Sequence, residues 1–237
     1  SWIVLVFFAS LPFVFGNYDL SFTDAFFEAM SGLTTTGSTV ITGLDRAPNG
    51  LLLWRSMLQW IGGIGIVIMA IAILPMLSIG GMQLFRLESS DTSDKILPGA
   101  SQIATAIAGL YVFFTVLCGM TYWLMGMEAF DALNHAMTTI ATGGFSTKDG
   151  SFGYFLIDPD ITGPIDLAAV FFMIVGSLPF GLYLLALRGR WELTFRDAQA
   201  RFFLLMAGFF VTVMTLMLFF DFTYSLYTSV RLAAFNV

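Results

Sequence analysis

The chain has 237 residues, of which 57% are hydrophobic and 11% charged, and its mean hydropathy is +0.85. A soluble domain carries about 25% charged residues, so this composition is that of an integral membrane protein seated in a lipid bilayer. The net charge of −6 leaves no footprint for nucleic acid, and the single cysteine, Cys118, excludes an intrachain disulfide framework and a four-cysteine metal site.

Ser1 to Phe15 is apolar but only about one half-span long. It has no basic leader and no small-residue cleavage site, so it is not a signal peptide. It reads as a first membrane helix truncated at its start. Asp24 to Gly32 is a short segment, roughly 13 Å of helix, too short to cross a bilayer. Leu51 to Ile79 is long enough to span, with some tilt or a break. Ala100 to Met127, Ile165 to Leu187 and Phe202 to Phe220 also span. Arg86 and Lys95 fall in one connector, and Arg188, Arg190, Arg196 and Arg201 in another on the same side. The opposite side carries Asp19, Asp45, Asp149, Asp158, Asp160 and Asp166. An excess of Lys and Arg marks the cytoplasmic side. The short segments therefore face outward.

Those short segments repeat. "DAFFEAMSGLTTTGST" from Asp24 aligns with "DALNHAMTTIATGGFST" from Asp131 at an offset of 107, which puts Gly37 on Gly144. Each copy lies between two spans, so both keep the same orientation. A third copy begins at "AAFNV", Ala233 to Val237, over "DALNH". The chain thus reads as a fragment holding two nearly complete units and the start of a third. One Thr-Thr-Thr-Gly stretch alone reads as close helix packing. Two aligned copies point instead to re-entrant loops, because non-helical backbone at membrane depth must line water or be buried in protein. Glycine reaches φ > 0 and lets successive carbonyls turn to one side. A ring of such carbonyls replaces the water shell of a cation. Asp24 and Asp131 are expected to cap the N-termini of the short helices.

"SGLTTTGST" followed by "WRSMLQWIGGIGIVI" resembles the first repeat of the Trk/Ktr/HKT superfamily of potassium uptake proteins. "TTIATGGFST" is similar to that family's second filter, and "SLPFGLYLLALRGR" to the end of its second unit. The resemblance implies an all-α membrane protein of membrane helix–pore loop–membrane helix units around a pseudo-fourfold, potassium-channel-like pore, incomplete in this chain. It implies potassium uptake, not enzymatic activity. Residues 1–80 would form the first repeat, 81–99 a cytoplasmic connector, 100–190 the second repeat, and 191–237 the start of the third. The filter would be lined by Thr35, Thr36, Gly37, Thr142, Gly143 and Gly144, with potassium as the ion and no bound cofactor. Glycine at the first filter is associated in the family with potassium, and serine with sodium. The family also implies a homodimer, a cytosolic nucleotide-binding regulatory subunit and a plasma-membrane location, the inner membrane in a bacterium. The gating loop of the family's third unit and the pore arginine of its fourth are not in this chain.

Several polar residues allow two readings. His135, on the second short helix where Glu28 lies on the first, is read as packing, since no nucleophile or metal partner is apparent. Glu28 either shapes the outer mouth or hydrogen-bonds behind the filter. Arg55 either snorkels to the interface or pairs with a short-helix acid, and Gln59 lies one turn on. Gly62, Gly63 and Gly65 are read as sites of close packing, and Cys118 as a packing residue. The connector arginines set topology or meet a regulatory partner. Two other functions stay open: an alternating-access carrier for sodium or another small cation, and a membrane enzyme using His135.

Overall fold

The computed structural model describes residues 2–16, 20–73, 100–221 and 224–237. The expected connector 81–99, with Arg86 and Lys95, lies outside these residues, as do Asp19 and the end of the second expected span. Every regular element among the described residues is helical.

The first unit opens with α1, Trp2–Phe15. The short helix α2, Phe22–Leu33, follows, and then α3, Asn49–Ile73. The 25 residues of α3 give about 37 Å of helix, enough to cross a bilayer. Val6, Phe13, Ala25, Ala29, Leu33 and Leu58 bury together as the core of this unit. The Trp54 indole N–H donates to Ala9 O at 3.0 Å, tying α3 to α1. The second unit repeats the plan with α4, Ala100–Leu124, and the short helix α5, Ala129–Ile140. Its own core contains Tyr111, Cys118, Tyr122, Ala136, Ile140 and Phe172.

After a small helical turn, α6, Tyr154–Ile157, the second unit closes with α7, Ile165–Ser177, and α8, Phe180–Leu187. The sequence led us to expect one continuous span over 165–187. Instead α7 and α8 meet at 89°. The cause is local. Pro179 has no N–H to continue the ladder and restricts the residue before it to extended backbone. Leu178 accordingly sits at φ −77°, ψ 146°. The Tyr183 hydroxyl donates to Val175 O at 2.8 Å across the break.

The short helix α9, Trp191–Arg196, leads into α10, Ala198–Asp221. Asp197 starts α10 by accepting from Ala200 N–H at 2.7 Å. Arg188, Arg190, Arg196 and Arg201 are all exposed around this connector. Gln102–Leu124 and Ala198–Phe220 are long and apolar enough to cross a membrane. The chain ends in a third short helix, α11, Leu226–Asn236. Ser225 caps it as Ser21 caps α2, each accepting from the N–H three residues on.

Candidate functional site

Each short helix stops in the same way. At the end of α2, Thr35 N–H donates to Gly32 O and Thr36 N–H to Ser31 O. At the end of α5, Thr142 N–H donates to Thr139 O and Gly143 N–H to Thr138 O. This pair of bonds is the Schellman stop, which needs a left-handed residue at its centre. Thr35 at φ 55° and Thr142 at φ 51° fill that place. Two residues on, Gly37 at φ 81° and Gly144 at φ 80° turn the chain again. The glycine turns were expected from the sequence. The left-handed threonines were not, because glycine and asparagine are the usual occupants.

The stop leaves the loop carbonyls available. Among the described residues, no hydrogen-bond donor reaches the backbone oxygens of Thr35, Thr36, Gly37, Thr142 or Gly144. Gly143 O differs, since it accepts from Gln59 Nε2 at 2.8 Å. The two loops also touch. A Cβ at Gly37 would collide with Gly143 O, whereas one at Gly144 would meet nothing within 4 Å.

Behind the loops lies a second matched pair. Thr39 Oγ1–H donates to Glu28, and Ile41 N–H donates to Thr39 Oγ1 at 3.1 Å. At the same 107-residue offset, Ser146 Oγ lies 2.9 Å from His135 Nε2 and accepts from Lys148 N–H at 3.1 Å. His135 Nδ1 lies 2.8 Å from Asp131 O, a carbonyl that can only accept. The proton is therefore on Nδ1, and Nε2 accepts from the serine hydroxyl. With both nitrogens engaged and the ring buried against Phe152 and Phe155, His135 packs the loop to its helix.

Arg55 joins the two halves. Its Nε donates to Glu28 Oε1 at 2.7 Å, Nη2 to Thr39 Oγ1 at 3.1 Å and Nη1 to Ser146 O at 2.9 Å. The guanidinium lies 4.2 Å from the Phe145 ring centroid. Arg55 is 1% exposed and Glu28 0%, so snorkelling is excluded and Glu28 acts behind the loops rather than at the mouth. One turn further along α3, Gln59 is wholly buried against the second loop. Sequence reading had noted it without a role.

Asp24 does not cap α2, contrary to expectation: Ser21 is the cap, accepting from Asp24 N–H at 3.1 Å, and its Oγ–H donates to Asp24 Oδ2 at 2.7 Å. Asp131 does not cap α5, contrary to expectation. No side chain caps at Glu128, and the Asp131 carboxylate is taken by the Thr147 hydroxyl at 2.7 Å and by Lys148 Nζ at 3.2 Å. Asp149 accepts from Gly43 N–H and Leu44 N–H at 2.9 and 3.0 Å, pinning the segment after the first loop to the segment after the second. Asp166, expected among the outward-facing acids, is buried in a bidentate pair with Arg231 of α11, at 2.6 and 2.8 Å.

Parallel units of membrane helix, short re-entrant helix, carbonyl-bearing loop and membrane helix define a pore-loop membrane protein. Residues 1–231 match the family described as TrkH, cation transport protein, and the chain belongs to that family. It is 46% identical over 216 residues to the Trk system potassium uptake protein TrkI of Halomonas elongata, covering 91% of this chain and 43% of that protein. To the Trk system potassium uptake protein TrkH of Escherichia coli K12 it is 42% identical over 228 residues, covering 94% of this chain and 46% of that one. The crystal structure of the potassium transporter TrkH from Vibrio parahaemolyticus matches with a TM-score of 0.85 at 37% identity, covering 99% of this chain and 47% of that one. The chain thus spans less than half the length of these relatives.

Proposed function

We propose that the protein takes up potassium across the plasma membrane through a filter of backbone carbonyls. The observation that carries this reading is the matched pair of loops. Each has a left-handed threonine and a left-handed glycine at the same spacing, and each presents carbonyls that no described donor occupies. In this reading Thr35, Thr36, Gly37, Thr142 and Gly144 offer oxygens to the ion, and Gly143 belongs to the wall through the carbonyl that Gln59 holds. The C-terminal ends of α2 and α5 add partial negative charge facing a cation. Both similar uptake proteins and the matched crystal structure are named for potassium, which supports the choice of ion.

The proposed units are 1–80, 100–190 and 191–237, with 81–99 as the cytoplasmic connector. A homodimer and a cytosolic nucleotide-binding regulatory subunit follow from the family resemblance.

The test is uptake of potassium and sodium by the full-length protein in cells lacking other potassium uptake systems. Gly37→Ser is expected to lower the preference for potassium, because its Cβ displaces Gly143 O. Gly144→Ser is expected to impair permeation, because it strains the φ of 80° and adds a hydroxyl in open space. Wild-type selectivity and rate in both variants, at matched abundance, would remove these loops from the ion path.

A further inference from the structure

We propose that Gln59, on the first unit's α3, sets the ion selectivity of the second unit's loop by aiming the Gly144 carbonyl. The inference rests on the reading of these loops as a potassium filter. The Gln59 amide holds both sides of a single residue. Its Nε2 donates to Gly143 O at 2.8 Å, and its Oε1 accepts from Phe145 N–H at 3.0 Å. The assignment of oxygen and nitrogen is forced, because Gly143 O can only accept and Phe145 N–H can only donate.

The consequence follows from peptide geometry. A trans peptide is planar, with C=O and N–H pointing in opposite directions. Phe145 N–H points at Gln59, so the Gly144 C=O of the same peptide plane points away from α3. Gly143 C=O points at Gln59, so Gly144 N–H also points away. One side chain thus fixes the two peptide planes that flank Gly144 and holds the loop at its φ of 80°. The amide is wholly buried, so water does not compete for these bonds. The fit is close: a Cβ at Gly143 would displace the Gln59 amide.

Of the two equivalent helices in this chain, only α3 carries the device. Gly62 of α3 and Gly176 of α7 take equivalent places, since a Cβ on either would strike the last carbonyl of its own short helix, Leu33 O or Ile140 O. Three residues before Gly62 is Gln59; three before Gly176 is Met173. A methionine cannot repeat the double hydrogen bond. Gln59→Met therefore places in α3 what α7 carries, at similar length and without either bond.

The experiment measures the ratio of potassium to sodium uptake by the full-length protein carrying Gln59→Met, with membrane abundance and monodispersity in detergent measured alongside. Gly144→Ser, read by its rate of potassium uptake, is the control for the filter reading. The expected result is a Gln59→Met protein at near wild-type abundance whose ratio falls about three- to tenfold, the effect of losing about one net hydrogen bond. Gln59→Glu keeps the acceptor for Phe145 N–H and, when ionised, loses the donor for Gly143 O; it is expected to shift the ratio in the same direction. It carries the test where Gln59→Met fails to accumulate. An unchanged ratio in an abundant Gln59 variant, beside an altered Gly144→Ser, overturns the role of Gln59 and leaves the filter reading standing. No change in either Gln59→Met or Gly144→Ser overturns both. Failure of both Gln59 variants to accumulate also overturns the proposal, because Gln59 is then a folding residue only.

Discussion

The buried charges behind the loops show which side chains hold the site and which merely fill space. Glu28 and Arg55 are a fully buried pair, and removing one partner of such a pair leaves an uncompensated charge. We expect Glu28→Ala to destabilise the fold by about 3–5 kcal/mol, read as a lower unfolding midpoint in detergent. Glu28→Gln with Arg55→Met, which leaves no charge, should lose less than either charge-stranding single variant; a larger loss would show that geometry, not charge balance, dominates. His135 stands at the position equivalent to Glu28 but is neutral and bound at both nitrogens. His135→Gln should retain most transport, and abolished transport at normal abundance across a range of pH would make the imidazole part of the mechanism. The glycine pair and the repeat that carries it were legible in the sequence, because glycine is the cheapest route to φ > 0. The threonines at positive φ were hidden, because their conformation is imposed by the helix stop and not by their own preference. The Gln59 clamp was hidden too, since it joins residues 84 apart.

Among the elements, the short helices are placed by what lies against their ends. Gly62 and Gly176 let α3 and α7 pass close to the last carbonyls of α2 and α5. The separations differ: Leu33 to Gly62 is 29 residues and Ile140 to Gly176 is 36, so the second unit carries seven more residues after its loop. A single offset of 107 therefore reads the repeat only as far as Lys148, beyond which the units fall out of register. Gly62→Ala and Gly176→Ala should each cost about 1–3 kcal/mol by overpacking. Gly109→Ala in α4, where a Cβ meets nothing within 4 Å, should be neutral or stabilise by up to about 1 kcal/mol. Equal unfolding midpoints for Gly62→Ala and Gly109→Ala would show that close approach does not govern the seat of α2. The break between α7 and α8 was visible as Pro179, yet an apolar run of spanning length outweighed it in our reading of the sequence. The proline and the extended residue before it decide the outcome locally, whereas hydropathy only averages over them.

Across the whole molecule, the two units are joined by α3 and by the segments that follow their loops. Asp149 is the clasp between those segments. Backbone N–H groups of Leu44 and then Gly43 hold its carboxyl below the ordinary value of 3.8. A carboxyl lowered by folding adds stability that is fully present above pH 3.8 and is lost as the pH falls through the lowered value. Wild-type protein should therefore lose some thermal stability on acidification below about pH 4, and Asp149→Asn should lose less over the same range. Identical acid profiles would remove the clasp from the stability of the fold. The inner join has a consequence for the order of synthesis. Arg55 meets Glu28, 27 residues before it, but its bond to Ser146 O reaches 91 residues ahead. At about 5–20 residues per second, that carbonyl is made roughly 5–18 seconds after Arg55. Until then Arg55 has two of its three partners, Glu28 and Thr39, and the Gln59 amide has neither of its own. The first unit's seat for its buried cation is thus completed only by a loop that belongs to the second.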